Sequence, residues 1–280
     1  LTILTVSIEN VTMITSQTTT TIARPKIFCM ILTAPKNLES KARYVHRAWA
    51  HKCDNYRFIS VIPDELLAAS PHLKTLRDQN KTIELNVTNG MQTSDKGDES
   101  KKFNWLPLMQ PSGFGKEDYA KLTDKVYLAM RDIYVRYGDA YDWYLKADDD
   151  TFIFVDNMRR FVVEKNSSHV PVTYGYNFKV IVDKGYHSGG GGYLMSREAF
   201  SRIGKKLNES IQFCPNSGTE DVDVAKCFRQ LKVFPGNSTD HLGYERFHPL
   251  SVNHHYEGYI PEWLVQYSSN GVKKVSKNPN

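Results

Sequence analysis

The stretch from Trp143 to Asp150 constrains the fold more than any other part of the chain. Its apolar, aromatic start predicts a buried strand, and it ends in three consecutive carboxylates before a second apolar run, Phe152 to Phe154. Three anions cannot share a dry strand end without a partner, because each uncompensated buried charge is very costly. A hard divalent cation binds carboxylate oxygens and accepts phosphate oxygens at its open positions. Since ligands of α/β sheets bind at the carboxyl ends of strands, the stretch predicts a metal site that holds a diphosphate.

Two other interpretations of the acidic triplet are weaker. A solvated surface turn is the commonest context for three acids, but the apolar residues on both sides argue against an exposed loop. A calcium loop of the helix-loop-helix type needs a glycine at its sixth position, where this chain has Ile153.

Length and charge narrow the class of protein. A chain of 280 residues can bury one large core or two small ones. The net charge is +5, with basic and acidic residues interspersed, which disfavours nucleic acid as a partner and leaves room for a cationic pocket that binds a phosphorylated small molecule. Tyrosine is the commonest aromatic residue, at 16 copies, and its ring can stack on sugars while its hydroxyl forms hydrogen bonds.

Four cysteines allow three disulfide pairings. A Cys29–Cys53 bond would tie the predicted first strand to the end of its helix, and a Cys214–Cys227 bond would attach the loop before the last helix to that helix. We favour these two pairings. No Cys-x-x-Cys pair is present, which disfavours a zinc site.

Six Asn-x-Ser/Thr sequons, more than chance predicts, indicate the lumen of the secretory pathway, where disulfides persist. Their asparagines are Asn10, Asn80, Asn86, Asn166, Asn208 and Asn237. No apolar run is long enough to span a bilayer. The chain starts at Leu1 rather than Met, so we expect a membrane anchor or signal upstream of it.

The first half of the chain predicts a β-α-β unit, and therefore parallel strands. We expect a Ser/Thr-rich lead-in over residues 1–24, a buried strand over 26–33, and a second strand over 57–62. Asn37 is positioned to cap the helix between them, whose apolar positions are Leu38, Ala42, Val45 and Trp49. Residues 63–117 predict loops with short elements at most and a mobile segment near 93–102.

Helices and strands then alternate. Residues 118–137 predict an amphipathic helix with its buried stripe at Tyr119, Leu122, Val126, Met130, Ile133 and Tyr137. Asp156, Ser196 and Thr219 are expected to cap three further helices, with strands over 171–175, 190–195 and 232–235. Aromatic-rich loops follow. The pattern predicts an α/β fold: one domain over residues 25–265, with a mostly parallel sheet flanked by helices, and a polar tail over 266–280.

Two further stretches are candidates for chemistry. The run from Tyr186 to Tyr193 contains four consecutive glycines, which favour a ligand floor over a flexible turn because a ligand can lie against bare backbone amides. The Glu220-Asp221 pair begins a predicted helix. Spacing alone favours compensation of the helix dipole, and the functional alternative is a general base.

Single residues elsewhere have weaker signals. Lys125 could neutralise a leaving diphosphate, although a helical lysine is usually a solvated surface residue. His254 and His255 lie late in the chain, where histidines are more often structural, yet one of them could complete a metal shell started by the aspartates.

Together these motifs resemble the animal core 1 β-1,3-galactosyltransferases, relatives of Fringe that extend O-linked N-acetylgalactosamine. The resemblance spans about residues 26–265, in order. The matching stretches are residues 32–37, Lys41-Ala42-Arg43 with Trp49 and Cys53, 142–151, 185–193, Glu220-Asp221-Val222 with Lys226-Cys227, 246–249 and His254-His255.

The resemblance implies a GT-A (Rossmann-like) fold, UDP-galactose as donor, Mn²⁺ as cofactor and inversion at the anomeric carbon. It implies glycopeptides carrying GalNAc on Ser or Thr as acceptors. It also implies a type II membrane protein of the Golgi with a lumenal catalytic domain, and it is compatible with a homodimer. Asp221 would be the catalytic base, with Glu220 as fallback. The other implied roles are metal binding by Asp148, Asp150 and His255; nucleotide or diphosphate binding by Thr33, Asn37, Gly115, Lys116, Lys125, Asp148 and Asp149; and substrate binding by Tyr186, Gly189, Gly190 and Trp263.

Two departures from the family leave alternatives open. Family members carry Gly-Arg in the nucleotide loop, where this chain has Gly115-Lys116, which keeps the charge but loses the bidentate fork. Family chains also continue into a double-cysteine segment and a Ser-x-His-Tyr motif whose histidine completes the metal shell. This chain ends at Asn280 without them, so either His254 or His255 substitutes or metal binding is impaired. The alternatives to galactosyl transfer are a non-catalytic glycopeptide-binding or chaperone-like role and transfer with another donor or acceptor.

Overall fold

The computed structural model describes residues 24–85, 106–165 and 168–272. The expected mobile segment near 93–102 lies outside them, as do nearly all of the expected lead-in and much of the expected tail. Among the described residues, none of the helices combines the length and apolarity that crossing a bilayer requires.

The described strands form an eight-stranded sheet in the order β10-β6-β9-β5-β1-β2-β4-β3, with β7 and β8 as a separate pair. The strands are β1 Ile27–Leu32, β2 Asn55–Ile59, β3 Ile83–Glu84, β4 Leu108–Gln110, β5 Trp143–Asp148, β6 Val172–Gly175, β7 Asn177–Phe178, β8 Tyr186–His187, β9 Tyr193–Ser196 and β10 Phe234–Pro235. The pairs β1–β2, β1–β5, β2–β4 and β6–β10 are parallel. The β3–β4, β5–β9 and β6–β9 pairs are antiparallel. The predicted β-α-β opening and mostly parallel sheet are confirmed.

Helices cover both faces of this sheet. They are α1 Arg43–Ala48, α2 Asp64–Ala69, α3 Pro71–Asp78, α4 Leu122–Tyr137, α5 Val155–Glu164, α6 Arg197–Glu209, α7 Glu220–Gln230, α8 Val252–Glu257 and α9 Glu262–Tyr267. The central strands read as continuous apolar runs because successive side chains enter opposite cores. Ile27, Cys29 and Ile31 of β1 join the core under α1, α2 and α5. Phe28, Met30 and Leu32 join the core under α4, α6 and α7.

The same alternation on β5 positions its one lysine. Trp143, Leu145 and Ala147 belong to the first core, and Tyr144 belongs to the second. Lys146 therefore shares the face of Tyr144, beneath α4, α6 and α7, and is fully buried there.

Tyr119 was predicted wrongly as buried, and the expectation that the apolar run after the acidic triplet excludes an exposed loop is also wrong. Tyr119 is 86% exposed because it lies in a 3₁₀ turn before α4, out of register with the stripe of that helix. Phe152 and Phe154 are 59% and 68% exposed, since the chain leaves the sheet after Asp148 and runs through a surface loop into α5.

Three predicted caps are also wrong, and two regions contain more helix than expected. Neither Asn37 nor Thr219 caps its helix through its side chain, and the amide of Asn37 instead bonds to Asp149. Asp156 lies inside the first turn of α5, which begins at Val155. The Ser196 cap is confirmed by its bond from the Ala199 amide, at 3.1 Å. The predicted loops between 63 and 117 contain α2 and α3, and the late aromatic loops contain α8 and α9.

Both favoured disulfides are present: Cys29 is bonded to Cys53 and Cys214 to Cys227. The first joins β1 to the turn after α1, and the second joins the segment before α7 to α7 itself. Closures of this length each contribute about 3 kcal/mol in the chain-entropy account. The second bond also restrains the start of α7, where Glu220 and Asp221 lie.

The α4–α6 contact is close enough to require a glycine. A Cβ added at Gly204 would lie 2.5 Å from the Cβ and Cγ atoms of Tyr134. We expect Gly204→Ala to lower the free energy of unfolding, because overpacking of about 1–3 kcal/mol outweighs the roughly 1 kcal/mol that alanine gains in a helix. Denaturant midpoints measure the effect. Gly115→Ala is the control, since an added Cβ there meets nothing within 4 Å; equal midpoints for the two variants would contradict the prediction.

Candidate active site

The site begins where β1 and β5 end side by side, with Leu32 paired to Asp148. The next residues in each chain segment are Thr33 and Asp149. The hydroxyl of Thr33 donates to Asp149 Oδ2 at 2.8 Å, and the side-chain amide of Asn37 donates to the same oxygen at 2.9 Å. Asp149 is buried, so the middle acid of the triplet holds the loop after β1 against the end of β5.

Lys41 is a site residue that the sequence reasoning missed. Its ammonium lies 3.4 Å from Asp149 Oδ1 and 2.9 Å from Asp150 Oδ2. Its hydrogen bond to Asp150 outweighs the effect of partial burial and raises the pKa of Lys41. The signal was available, because Lys41 follows Asn37 by four residues and so shares its helical face. Asp150 itself is 65% exposed and accessible to a ligand.

Lys146 is the central cation of the site, and the sequence reasoning missed its role as well. Its Nζ lies 2.9 Å from Asp148 Oδ1 and 3.5 Å from Glu220 Oε2, and it donates to the carbonyl of Gly189 at 3.2 Å. Burial favours the neutral amine, but the two carboxylates outweigh it and raise the pKa of Lys146 above its usual range. One buried ammonium therefore joins the end of β5, the start of α7 and the glycine run.

Glu220 is buried inside this network, and each of its carboxylate oxygens has a partner there. Its Oε1 accepts from the hydroxyl of Tyr193 at 2.7 Å, its Oε2 faces Lys146, and the residue is 5% exposed. Burial raises the pKa of Glu220, while Lys146 and the Tyr193 hydroxyl oppose that change. Both oxygens of Glu220 thus have a partner within the protein, and its burial makes it less accessible to a substrate hydroxyl than Asp221.

Asp221 is the more available carboxylate of the pair. Its Oδ2 accepts from the Gly189 amide at 3.3 Å, and its Oδ1 accepts from the Val222 amide at 2.9 Å. Burial raises the pKa of Asp221 against these two bonds. The position of Asp221 beside the glycine run, with its side chain only partly buried, fits a general base that a substrate hydroxyl can reach.

The glycine run is attached to the acidic turn through Thr151. The Asp148 amide donates to Thr151 Oγ1, and that hydroxyl donates to the carbonyl of Gly190, both at 3.1 Å. The indole of Trp49 donates to the Thr151 carbonyl at 3.0 Å. We call residues Gly189–Gly192 the glycine floor. It lies beside the end of β5 because β9, which it precedes, pairs antiparallel with β5.

Lys125 lies at the site but is already neutralised. Its ammonium is buried, donates to the Thr33 carbonyl and contacts both oxygens of Glu117, at 2.8 and 2.9 Å. Burial outweighs these carboxylate contacts and lowers the pKa of Lys125. Gly115 and Lys116 directly precede Glu117 and are exposed, so the expected nucleotide loop adjoins Lys125. Glu117 is a further residue that the sequence reasoning missed.

An aromatic row extends from Asp221 to the surface. Burial first, and then the charge of Asp221, raises the pKa of Tyr186 to about 12. The ring of Tyr186 lies 5.2 Å from that of Phe178, which lies 6.1 Å from that of Trp263. Trp263 is 42% exposed. The two predicted substrate-binding aromatics thus belong to one cluster next to Asp221.

His255 lies on the other side of the glycine floor. Its ring is 4.5 Å from that of His248, whose carbonyl would be 3.2 Å from a Cβ added at Gly191. The Nε2 of His255 is buried and, within the part of the chain that the structure describes, has no hydrogen-bond partner. This orphaned nitrogen is the type of atom that a metal or an ordered water satisfies.

The acidic turn has the donor chemistry of a divalent metal site, but only part of one. Asp148 and Asp150 offer the carboxylate oxygens that such ions bind, and Asp150 is exposed. Over the described ranges, however, no three His, Cys, Asp or Glu side chains are close enough to hold an ion together. His255 is therefore not brought into one cluster with the two aspartates. A metal here would take its remaining ligands from phosphate oxygens or water.

The glycine floor offers a matched pair of substitutions. A Cβ added at Gly189 would lie 2.9 Å from Glu220 Oε2, whereas one added at Gly190 meets nothing within 4 Å. We expect Gly189→Ala to displace Glu220 and to lower the thermal midpoint by a few degrees, as about 1 kcal/mol would. Gly190→Ala should leave the midpoint unchanged and raise KM if a ligand fills that space. Equal thermal shifts for both variants would contradict this account.

Comparisons with known proteins agree with this arrangement. The chain is 29% identical to glycoprotein-N-acetylgalactosamine 3-beta-galactosyltransferase 1 of Xenopus laevis over 231 residues, which cover 82% of this chain and 52% of that protein. It is 27% identical over 161 residues to human chondroitin sulfate synthase 3, covering 53% and 18% of the two chains. It is 28% identical over 149 residues to mouse N-acetyllactosaminide beta-1,3-N-acetylglucosaminyltransferase 4, covering 47% and 40%. No protein-family model matches the chain.

The chain spans about half the length of the first of these relatives. Its mostly parallel sheet flanked by helices is the expected GT-A architecture. The match over most of the chain confirms the resemblance predicted from the motifs. The chain is therefore similar, over most of its length, to a protein named as a 3-beta-galactosyltransferase, and over about half of its length to two further glycan-building proteins.

Proposed function

We propose that this chain is an inverting glycosyltransferase that moves galactose from UDP-galactose to the 3-hydroxyl of O-linked N-acetylgalactosamine on Ser or Thr of glycoproteins. The main support is one observation: the end of β5 and the start of α7 meet across Lys146, beside a glycine floor that is open at Gly190. The similarity to a 3-beta-galactosyltransferase over 82% of the chain supports this donor and acceptor.

In this proposal Asp221 is the catalytic base. Its ionised carboxylate takes the proton of the acceptor hydroxyl while that oxygen forms a bond to the anomeric carbon of galactose. The bond from that carbon to the diphosphate breaks on the opposite face, and UDP leaves with the electron pair, so the configuration inverts. Glu220 positions Asp221 indirectly: Glu220 faces Lys146, Lys146 donates to the carbonyl of Gly189, and the amide of Gly189 donates to Asp221.

The donor end of the site is the acidic turn and its neighbours. Asp148 and Asp150 would hold Mn²⁺ together with phosphate oxygens or water, without His255, and the ion would supply positive charge near the leaving diphosphate. Asp149 keeps Thr33 and Asn37 in place on the nucleotide side. Lys41 and Lys125, with Gly115 and Lys116 in the adjoining loop, supply further cationic charge and backbone contacts there.

The acceptor end is the aromatic row of Tyr186 and Trp263. A partly exposed indole and a buried tyrosine beside the base suit the apolar face of a sugar. We propose the lumen of the Golgi as the compartment, because two disulfides and several sequons fit an oxidising, glycosylating environment.

A binding-only role is the second candidate, and one observation favours it. Asp148 and Asp150 are each neutralised by a lysine of the chain itself, Lys146 and Lys41, so the acidic turn is stable without an added cation. A glycopeptide could then bind at the aromatic row without transfer.

Turnover of UDP-galactose on a GalNAc-peptide, with and without Mn²⁺, tests the proposal. We expect Mn²⁺-dependent transfer that Asp150→Ala reduces by about 10²–10³-fold and that Asp156→Ala, another exposed aspartate, leaves unchanged. If a different sugar nucleotide supports transfer to the peptide, the proposed donor is wrong but the proposed glycosyl transfer stands. Binding of the glycopeptide without turnover under any metal would support the second candidate.

A further inference from the structure

A groove of about 460 Å³ lies apart from the candidate active site and contains a sequon. It is lined by Arg131, Asp132, Val135 and Arg136 of α4, by Ser112 after β4 and by Asn208 near the end of α6. This volume falls in the range of about 300–1,000 Å³ that ligand-binding clefts occupy. Asn208 belongs to the sequon Asn208-Glu209-Ser210, all three residues of which are exposed.

The walls of the groove are rigid and polar. Asp132 accepts from the hydroxyl of Thr82 at 2.5 Å, from the Ser112 amide at 2.7 Å and from Arg131 Nε at 2.8 Å. Arg131 also donates to the Ser112 carbonyl at 2.8 Å. These bonds fix three segments of chain around one opening whose rim carries hydrogen-bonding groups.

Between these polar walls lies one uncovered apolar side chain. Val135 is 62% exposed although it lies on α4 between Tyr134 and Arg136. A saccharide suits this combination, because its C–H faces cover apolar surface while its hydroxyls bond to arginine and serine groups. Asn208 lines the same opening, so a sugar attached to it starts inside the groove.

We propose that Asn208 carries an N-linked glycan whose first sugars lie in this groove and cover Val135. The disulfides of the chain require an oxidising compartment, where such attachment takes place. Attachment forms a bond between Nδ2 of Asn208 and the anomeric carbon of a sugar carried on a lipid pyrophosphate. The bond from that carbon to the pyrophosphate breaks, the lipid pyrophosphate leaves with the electron pair, and Nδ2 loses one proton while Oδ1 stays free to accept. This inference stands apart from the proposed function, since it uses none of the residues assigned to transfer.

Asn237 offers the internal comparison. It follows β10 at one edge of the sheet, while Thr82, which lines the groove, precedes β3 at the opposite edge. Its Oδ1 accepts from the amide and hydroxyl of Thr239, at 2.9 and 2.8 Å, which also leaves Nδ2 for attachment. A glycan on Asn237 would therefore start at the other edge of the sheet from this groove.

Glycopeptide mass spectrometry of the chain secreted from eukaryotic cells gives the occupancy of Asn208, and Ser210→Ala should remove that glycan. Peptide N-glycosidase then reports whether the glycan is covered. We expect release from Asn208 in the folded protein to be at least roughly threefold slower than from Asn237, because the glycan must leave the groove first. Denaturation should abolish this difference.

Val135→Asp should speed release from Asn208, whereas Val163→Asp, at an exposed position on α5, should not. An unoccupied Asn208 in a chain glycosylated elsewhere would overturn the proposal. Equal rates of release from Asn208 and Asn237 would show that the glycan on Asn208 does not lie in the groove. Both rates are measured on the unsubstituted chain, so this test does not depend on whether Val135→Asp folds.

Discussion

Replacing Lys146 with methionine should lower the free energy of unfolding at neutral pH by about 3–5 kcal/mol, because it leaves buried charges uncompensated. Glu220 is 5% exposed and Asp148 is 29% exposed at its side chain, and both depend on this one ammonium. Urea unfolding measures the loss. Lys41→Met is the control, since its ammonium is 41% exposed and such pairs contribute at most about 1 kcal/mol.

The loss in Lys146→Met should depend on pH in a defined direction. Burial already raises the pKa of Glu220, and without Lys146 that pKa rises further above its unfolded value. At a pH between the unfolded-state and folded-state pKa values of Glu220, the folded state binds more protons than the unfolded state. The free energy of unfolding therefore falls as pH rises through this range and recovers as pH falls. The double variant Lys146→Met with Glu220→Gln should regain part of the stability. No recovery, either at low pH or in the double variant, would show that Lys146 acts by packing alone.

Asp221→Asn should reduce kcat/KM by about 10²–10⁴-fold, the usual contribution of a general base. The asparagine keeps an oxygen that can accept from the Gly189 amide, so we expect the thermal midpoint and the donor KM to change little. In the unsubstituted enzyme kcat/KM should fall as pH drops through the pKa of Asp221, which burial raises above its usual value. Initial rates over a pH series measure both effects.

Glu220→Gln distinguishes the two acids of the pair. Because Glu220 bonds to Tyr193 and faces Lys146, its replacement should lower stability more than Asp221→Asn does and activity less. The reverse pattern, with activity abolished by Glu220→Gln and retained by Asp221→Asn, would transfer the role of base to Glu220.

The central strands and the helix after Thr219 were predictable because their buried faces require apolar residues at a regular spacing in the sequence. Strand β1 is apolar at every position since both of its faces enter a core. The acidic end of β5 was identified as candidate chemistry because carboxylates that interrupt such a pattern need a partner. For the two acids at the start of α7, spacing alone favoured dipole compensation, and the role of base came from the family resemblance.

Sequence could not identify the partners themselves. Lys146 donates to Gly189, 43 residues away, and Thr33 donates to Asp149, 116 residues away. The sequence near these residues therefore contains no pattern that predicts the contacts. Asn37 and Thr219 are good capping residues that fail to cap, because local propensity yields to tertiary geometry. Tyr119 was misassigned by extending a helical period past the point where the helix begins.

The reversed direction of β9 has a consequence for how such a pocket can diversify. In a uniformly parallel sheet, only the segments that leave strands reach the ligand edge. Here the segment that arrives at β9 reaches that edge too and faces the segment that leaves β5. The two sides of the candidate site thus belong to stretches that can lengthen, shorten or change composition separately, so each side is open to independent evolution on one scaffold.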